Sequence, residues 1–404
     1  MRAYRFGIVT ALALLLGSSV SVVAQEERPV RIGVIGDHGV YSALSGMGSV
    51  IAARMAVEDF GGEVLGRPIE VVFADHQSKP DAASTIARDW IDGEGIDAFT
   101  DGSSSSAALA INEIARNNDK AFLVTGAGSP NFYGEACSPI TTHWVFDTYS
   151  LANAAAKALV QQKLDTWYFL TADYNYGQSL QDNMGSFVEA EGGKIIGSVL
   201  HPLNSQDFSS YLLQAQASGA KAIGFANAGT DFVTATKQAA EFGIIQGGQQ
   251  IVALSAMTPD IYALGLRNAQ GLVVTASFYW DLNEESREWS KRFMERHDGK
   301  APTQIHAGTY VAVTHYLKAV QEIGSTGGAE VTAKMKETPI NDFYNKDVKI
   351  REDGRVLQNM HVFRVKSPEE SSEDWDIYSE VMEIEGDKAY RPMADGNCPM
   401  VAKK

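Results

Sequence analysis

Cysteine, basic residues and long apolar runs are all scarce in this chain, and each shortage narrows what it can be. Cys137 and Cys398 are the only two cysteines in 404 residues, too few for a thiolate metal cluster with paired-ligand spacing. Lys and Arg number 34 against 50 Asp and Glu, a net charge of −16, which disfavours nucleic acid and anionic lipid as partners. Catalytic signatures are missing too. There is no His-Glu-x-x-His, no phosphate-binding loop, and no Gly-x-Ser-x-Gly elbow, because Ser106 stands where the stretch from Gly102 would need its closing glycine. The histidines are scattered; only His38, His76 and His306 fall in loops that could face a cleft. We therefore expect a protein that is not an enzyme and has no cofactor and no metal.

The one apolar run of note is N-terminal. Arg2 and Arg5 precede Phe6 to Leu16, and Ser18 to Ala24 places Val22 and Ala24 at the two pre-cleavage positions. That is the pattern of a secretory signal over residues 1–24, cleaved near Ala24, and the run is short for a membrane span. The mature chain would carry 32 bases against 50 acids, net −18. No cysteine for lipid attachment follows the signal, so a free, monomeric periplasmic protein is expected. In that oxidising compartment Cys137 and Cys398, each in a loop beside proline (Pro139 and Pro399), are expected to form one long-range disulfide tying down the C-terminus.

What is present centres on Asp101-Gly102-Ser103-Ser104-Ser105-Ser106 and, just beyond, Thr125-Gly126-Ala127-Gly128-Ser129-Pro130. Four serines between an apolar strand and an Ala-rich helical pattern place hydroxyls and free N–H groups at a helix start. Such a terminus holds a carboxylate without Arg or Lys. The second stretch ends a buried strand, Ala121 to Thr125, in a small-residue loop that lets a ligand approach the backbone.

Around these stretches strand and helix alternate. Val30–Ile35, a helix from Gly46, Pro68–Phe73 and a helix opening at Pro80 give a βαβα series that implies a parallel sheet with right-handed crossovers. After an aromatic crossing with Trp144, Phe146 and Tyr149 the alternation restarts: Thr166–Thr171, Ile195–Leu200, Ala222–Ala226 and Ile251–Leu254 read as strands. The tail, His361 to Val365 and Trp375 to Ile384, reads as β-rich. The expected α/β fold is therefore two similar, doubly wound parallel-sheet lobes with a hinge and a central ligand cleft. The first lobe is residues 25–148 plus 278–344, and the second 149–277 plus 345–404.

Arg31-Ile32-Gly33-Val34, Gly46 to Phe60, Gly66-Arg67-Pro68-Ile69-Glu70, Gly102 to Ser106, Thr125 to Pro130, Tyr174-Asn175-Tyr176-Gly177 and Gln238 to Gly243 come in an order and spacing that resemble a known family. It is that of the periplasmic substrate-binding proteins of branched-chain amino acid ABC importers, the Leu/Ile/Val-binding-protein-like group of type I periplasmic binding fold. The resemblance covers essentially the whole mature length. It implies a small-molecule ligand, membrane permease subunits as partners, and lobe closure as the mechanism. It implies further that Ser106 holds a ligand carboxylate, that Ala127 and Ser129 add backbone and hydroxyl contacts, and that Tyr176 closes over the ligand. Ser105, Gly128, Tyr149, Asn227, Asp231 and Ser255 complete the candidate ligand contacts, with Phe278 and Tyr279 as further aromatics near the cleft.

The chain departs from that family in one place. Where amino-acid binders carry an acid after the strand Ile251–Leu254 to pair with the ligand ammonium, this chain has Ser255-Ala256-Met257. A buried ammonium without a carboxylate partner is costly. The expected ligand is therefore a small carboxylate, aromatic or short aliphatic, with branched-chain amino acids or amides as the alternative should Asp231 reach the site. A ligand-binding sensor coupled to a membrane partner uses the same fold and is the alternative role.

Overall fold

The computed structural model describes Met1, residues 28–159 and residues 164–401. Apart from Met1, the signal reading of residues 1–24 lies outside them. Among the described residues no helix is long and apolar enough to cross a membrane.

The first lobe is built on β1 (Val30–Gly36), whose Val and Ile residues are buried on both faces, as a central parallel strand requires. The chain then runs through α1 (Gly46–Phe60), a short hairpin arm β2 (Glu63–Val64), β3 (Arg67–Asp75), α2 (Pro80–Asp89), β4 (Ala98–Asp101), α3 (Ser105–Asn117), β5 (Ala121–Val124) and β6 (Thr141–His143). Helix starts follow the sequence: the Ser45 hydroxyl accepts the Gly46 N–H at α1, and Pro80 occupies the first turn of α2. These strands form a six-stranded sheet of order β2-β3-β1-β4-β5-β6, parallel except for the β2–β3 arm.

The second lobe repeats that pattern with α4 (Thr148–Leu159), β7 (Thr166–Ala172), α5 (Asn175–Ala190), β8 (Lys194–His201), α6 (Ser209–Ala217), β9 (Ala222–Ala226), α7 (Gly229–Glu241) and β10 (Gln250–Ala253). Its parallel sheet has the order β10-β9-β7-β8. After α8 (Thr258–Leu264), α9 (Leu266–Ala269) and β11 (Val273–Ala276), the chain returns to the first lobe. There α10 (Glu284–Arg296), α11 (Gln304–Ile323) and α12 (Gly328–Glu337) pack, with Thr303 bonding the Leu44 carbonyl and Arg292 pairing with Asp59. It then crosses back to β12 (Met360–Val365), β13 (Tyr378–Ile384) and α13 (Gly386–Ala389).

The strand β11 lies outside the parallel sheet. It pairs antiparallel with β12, which pairs with β13, giving a separate three-stranded sheet. The returning tail supplies β11 with its hydrogen bonds, so β10 remains the edge of the parallel sheet.

The segments that cross between lobes are bound to one another. His143 bridges to Arg355, and the Val145 N–H donates to Gln358 at 3.1 Å. Arg355 has no solvent exposure; it donates to the Val145 carbonyl, faces Asp147 at 3.6 Å and lies over the Tyr390 ring at 3.6 Å. A guanidinium is a suitable cation for such a place, since its flat face stacks on an aromatic ring while its edge donates.

Cys137 and Cys398 are joined across 261 residues of sequence, fastening the C-terminal tail to the loop that precedes β6. A bridge closing so long a loop removes much entropy from the unfolded chain. Replacing both cysteines by alanine should destabilise the protein by about 2–5 kcal/mol and leave ligand affinity unchanged. A thermal melt that does not move would show the bridge to be dispensable.

Candidate functional site

In each lobe the strand order reverses direction at one point, and crevices open at such points outside the carboxyl ends of the strands. In the first lobe it lies between β1 and β4, in the second between β7 and β9. The loops leaving these strands, together with those after β5 and β10, enclose a narrow cavity of about 20 Å³ between the lobes. That is room for about one water, so a ligand enters only as the lobes part.

The first-lobe wall is the start of α3. Ser103, Ser104 and Ser105 line the cavity, faced by the loop Gly126, Ala127 and Gly128. Ser104 occupies the N-cap position at φ 79°, yet its side chain makes no cap bond. The first-turn N–H groups of α3 therefore have no side-chain acceptor. The hydroxyls of Ser104 and Ser105 are buried and have no hydrogen-bond partner. Orphaned donors at an uncapped helix N-terminus are the groups that a neutral anion site would use.

Asp101 holds this wall in place. Its buried carboxylate accepts the Ser45 hydroxyl at 2.9 Å and the Ser103 N–H at 3.0 Å, while the Ser103 hydroxyl accepts the Asp37 N–H at 2.7 Å. Burial pushes the Asp101 carboxyl up to about 6. Opposite, buried His143 donates from Nε2 to the Ala127 carbonyl at 2.8 Å, and Thr125 pairs with Thr309 at 2.8 Å.

The second-lobe wall is aromatic. Tyr176 lines the cavity with its hydroxyl 2.5 Å from the Ser255 hydroxyl, and its ring meets Phe146 edge-on. A Cβ at Gly128 would lie 2.5 Å from the Tyr176 ring, so only glycine permits this approach. The Tyr174 hydroxyl bonds the Tyr41 hydroxyl from the other lobe, a direct link across the cleft. Leu44, Ile305, Ala228 and Met257 complete an apolar remainder. Among the described residues no charged side chain and no histidine lines the cavity. A serine without an adjacent base is no nucleophile, so the arrangement suits binding rather than catalysis.

Of the candidate contacts, Ser105, Ala127, Gly128 and Tyr176 line this cavity, and Ser255 touches it through Tyr176. Ser106 does not. It is half-buried one position further into α3, and the lining hydroxyls belong to the three serines before it. Ser129 instead accepts the Asn131 N–H, starting the turn Pro130–Tyr133. Tyr149 packs edge-on against Phe187, and Asn227 bonds His201. Asp231 sits in the first turn of α7, accepting the Asn204 N–H at 3.1 Å. Phe278 packs against Trp289, and Tyr279 bonds the Trp375 carbonyl. His306 is a buried strut whose Nε2 donates to the Ser45 carbonyl, with its pKa pushed down to about 3 by burial.

The residues missed are chiefly Tyr41, Ser104 and Tyr174. All three sat in loops legible as cleft-facing, but the pairing of Tyr41 with Tyr174 joins residues 133 apart in different lobes. Asp37, Asp75 and His76 bring their ligand atoms within 4.8 Å of one another. Donors already engage them, since Gly39 N–H, Tyr41 N–H and the Ser78 hydroxyl bond Asp37 and the Ser78 N–H bonds His76 Nδ1. The cluster fastens a loop.

Two α/β lobes around a small cavity, one wall of which is an uncapped helix start, define a ligand-capturing binding protein. The chain belongs to the periplasmic binding protein family, whose sequence profile matches residues 29–372. A crystal structure of a periplasmic binding protein from Burkholderia mallei is 44% identical, with a TM-score of 0.90 over 92% of this chain and 99% of the other. A branched-chain amino acid ABC transporter periplasmic ligand-binding protein from Burkholderia xenovorans is 36% identical, with a TM-score of 0.81 and the same coverage. The Leu/Ile/Val-binding protein homolog 6 of Brucella melitensis is 24% identical over 335 residues, 81% of this chain and 84% of that protein.

Removing either orphaned hydroxyl, by Ser104→Ala or Ser105→Ala, should weaken binding of a carboxylate ligand by about 1–3 kcal/mol without lowering thermal stability. Calorimetry showing unchanged affinity would take that residue out of the site. A second expectation concerns Asp260, fully buried in the first turn of α8, where desolvation pushes the carboxyl up to about 7 against the opposing N–H groups of Met257 and Gly229. Because its folded pKa exceeds the unfolded one, Asp260 contributes most at low pH and loses that contribution as pH rises through about 7. Asp260→Asn should therefore gain stability relative to the parent between pH 5 and pH 8; a pH-independent difference in melting temperature would refute the shift.

Proposed function

We propose that this protein is the extracytoplasmic solute-binding component of an ABC importer, exported by its N-terminal signal, and that its ligand is a small carboxylate lacking an α-ammonium, aromatic or short aliphatic. The observation that carries this reading is the pair of unpartnered serine hydroxyls at the uncapped start of α3, facing a cavity without a charged wall. Neutral donors and a helix terminus satisfy a carboxylate, whereas an ammonium would find hydroxyls and apolar carbon but no anion.

The mechanism is closure. The first lobe takes the anionic end through Ser104, Ser105 and the α3 terminus. The second lobe then covers the ligand with Tyr176 and Tyr174. Ligand shifts the balance toward the closed form only through contacts made there and nowhere else. Permease subunits receive the closed, monomeric form. Amino acids or amides form a second reading, favoured by one observation: Asp231, buried behind the second-lobe wall, has an oxygen without a partner.

A thermal-shift screen of residues 25–404 against amino acids, amides, short aliphatic acids and aromatic acids tests the reading. At about 1 mM, a ligand with Kd about 1 μM adds about 4 kcal/mol and raises Tm by several degrees. An acid without an amino group should give the largest shift. A leading shift from leucine or valine would mean that Asp231 reaches the ligand.

A further inference from the structure

One buried carboxylate of the second lobe, Asp231, lies close enough to Tyr41 and Tyr174 of the cavity wall to act on both, yet does not line the cavity itself. Asp231 lies in the first turn of α7, and the residue just before that helix, Ala228, lines the cavity. The Asp231 side chain is 1% exposed; Oδ2 accepts the Asn204 N–H, while Oδ1 has no partner. A second acceptor in the same loop, Asn227 Oδ1, is also buried and unpartnered. The start of α7 rests on the Tyr41 segment: a Cβ at Gly229 would lie 2.9 Å from the Val40 carbonyl and 3.6 Å from the Tyr41 ring. Tyr41 in turn bonds Tyr174 hydroxyl to hydroxyl, and both line the cavity that Asp231 does not.

We infer that the Tyr41–Tyr174 pair is a specificity determinant, a wall that keeps the unpaired Asp231 carboxylate out of the cavity and so excludes ligands bearing an α-ammonium. The inference rests on the proposed carboxylate site and names what restricts its substrate class. An ammonium is accommodated in a dry site only when an anion and further acceptors meet it. This lobe holds those acceptors, but the tyrosines stand in front of them. Closure with a simple acid keeps the tyrosine pair intact; closure with an amino acid would have to break it to reach Asp231.

Two matched ligand pairs isolate the effect: 4-methylpentanoate with leucine, and 3-phenylpropanoate with phenylalanine, each differing by the α-ammonium alone. By calorimetry the parent should bind an acid about a hundredfold more tightly than its matched amino acid. Tyr41→Ala combined with Tyr174→Ala should improve the amino acid relative to its acid by about tenfold or more, and adding Asp231→Asn should abolish that gain. Tyr41→Phe, which keeps the ring but cuts the link across the cleft, should weaken both members of a pair alike and leave their ratio unchanged. If the double variant is unfolded by circular dichroism, Tyr41→Ala alone gives the reading, since it opens the same wall. An unchanged ratio in the alanine variants, or a gain that survives Asp231→Asn, would overturn the inference. So would a parent that binds acid and amino acid equally, which would leave a carboxylate site at the start of α3 standing but not its preference for ligands without an α-ammonium. A parent that binds neither acid removes the carboxylate reading and this inference with it.

Discussion

The site depends on one buried carboxylate that never touches the cavity. Asp101 ends β4 at φ 73°, a conformation a non-glycine residue adopts only when its surroundings compel it. Here three loops do so. Ser45 from the loop after β1 and Ser103 from the turn before α3 both donate to the carboxylate, and the Thr125 and Gly126 N–H groups donate to the Asp101 carbonyl. A Cβ at Gly126 would lie 2.0 Å from Asp101 Oδ1, so glycine there is a steric requirement. With its acceptors filled in this way Asp101 fixes the relative positions of the loops after β1, β4 and β5, and the serines inherit their direction from that arrangement. The orphaned hydroxyls are orphaned because the local donors and acceptors have been spent on holding the frame.

Much of this frame was legible in the sequence, and the reason is periodicity. Buried parallel strands of Val, Ile and Ala, helices opened by Ser45 and Pro80, and two rounds of the same alternation specify two doubly wound lobes with few competing topologies. The serine run pointed to the cavity wall because a helix start is a local feature. Which serines line the cavity was not legible. The phase of α3 is set by positive φ values at Asp101, Gly102 and Ser104, and those follow from the Asp101 contacts rather than from the serines themselves. The Tyr41–Tyr174 link and the packing of β11 against β12 were beyond reach for the same reason. Each pairs segments that only the folded lobes bring together, and single-sequence periodicity carries no information about such pairs.

The hinge shows a different economy. Arg355 is fully buried among crossing segments and has Nε and Nη1 unpartnered, with Asp147 at 3.6 Å rather than in close contact. A buried charge held so loosely does not add much stability by pairing. Its stronger contacts are the Val145 carbonyl and the faces of Tyr390 and Tyr133, all on or beside the crossing strands. A flat cation sliding on aromatic faces tolerates small rotations that a bidentate ion pair would resist. The crossing segments can therefore stay registered to one another while the lobes they join change angle.

That tolerance matters because the cavity offers little gross binding energy. A site of hydroxyls, N–H groups and apolar carbon avoids the desolvation penalty of a buried Arg or Lys in the open, unliganded form, and it gains less from the ligand in return. The surplus that closes the lobes must come from contacts made only on closure: Tyr176 with Gly128, and Tyr174 with Tyr41. Because these contacts are short and few, the closed form need not outlast the ligand by much. If the protein hands its ligand on, as we propose, a site of neutral donors and a compliant hinge act in the same direction, limiting affinity at the pocket and resistance to reopening at the hinge.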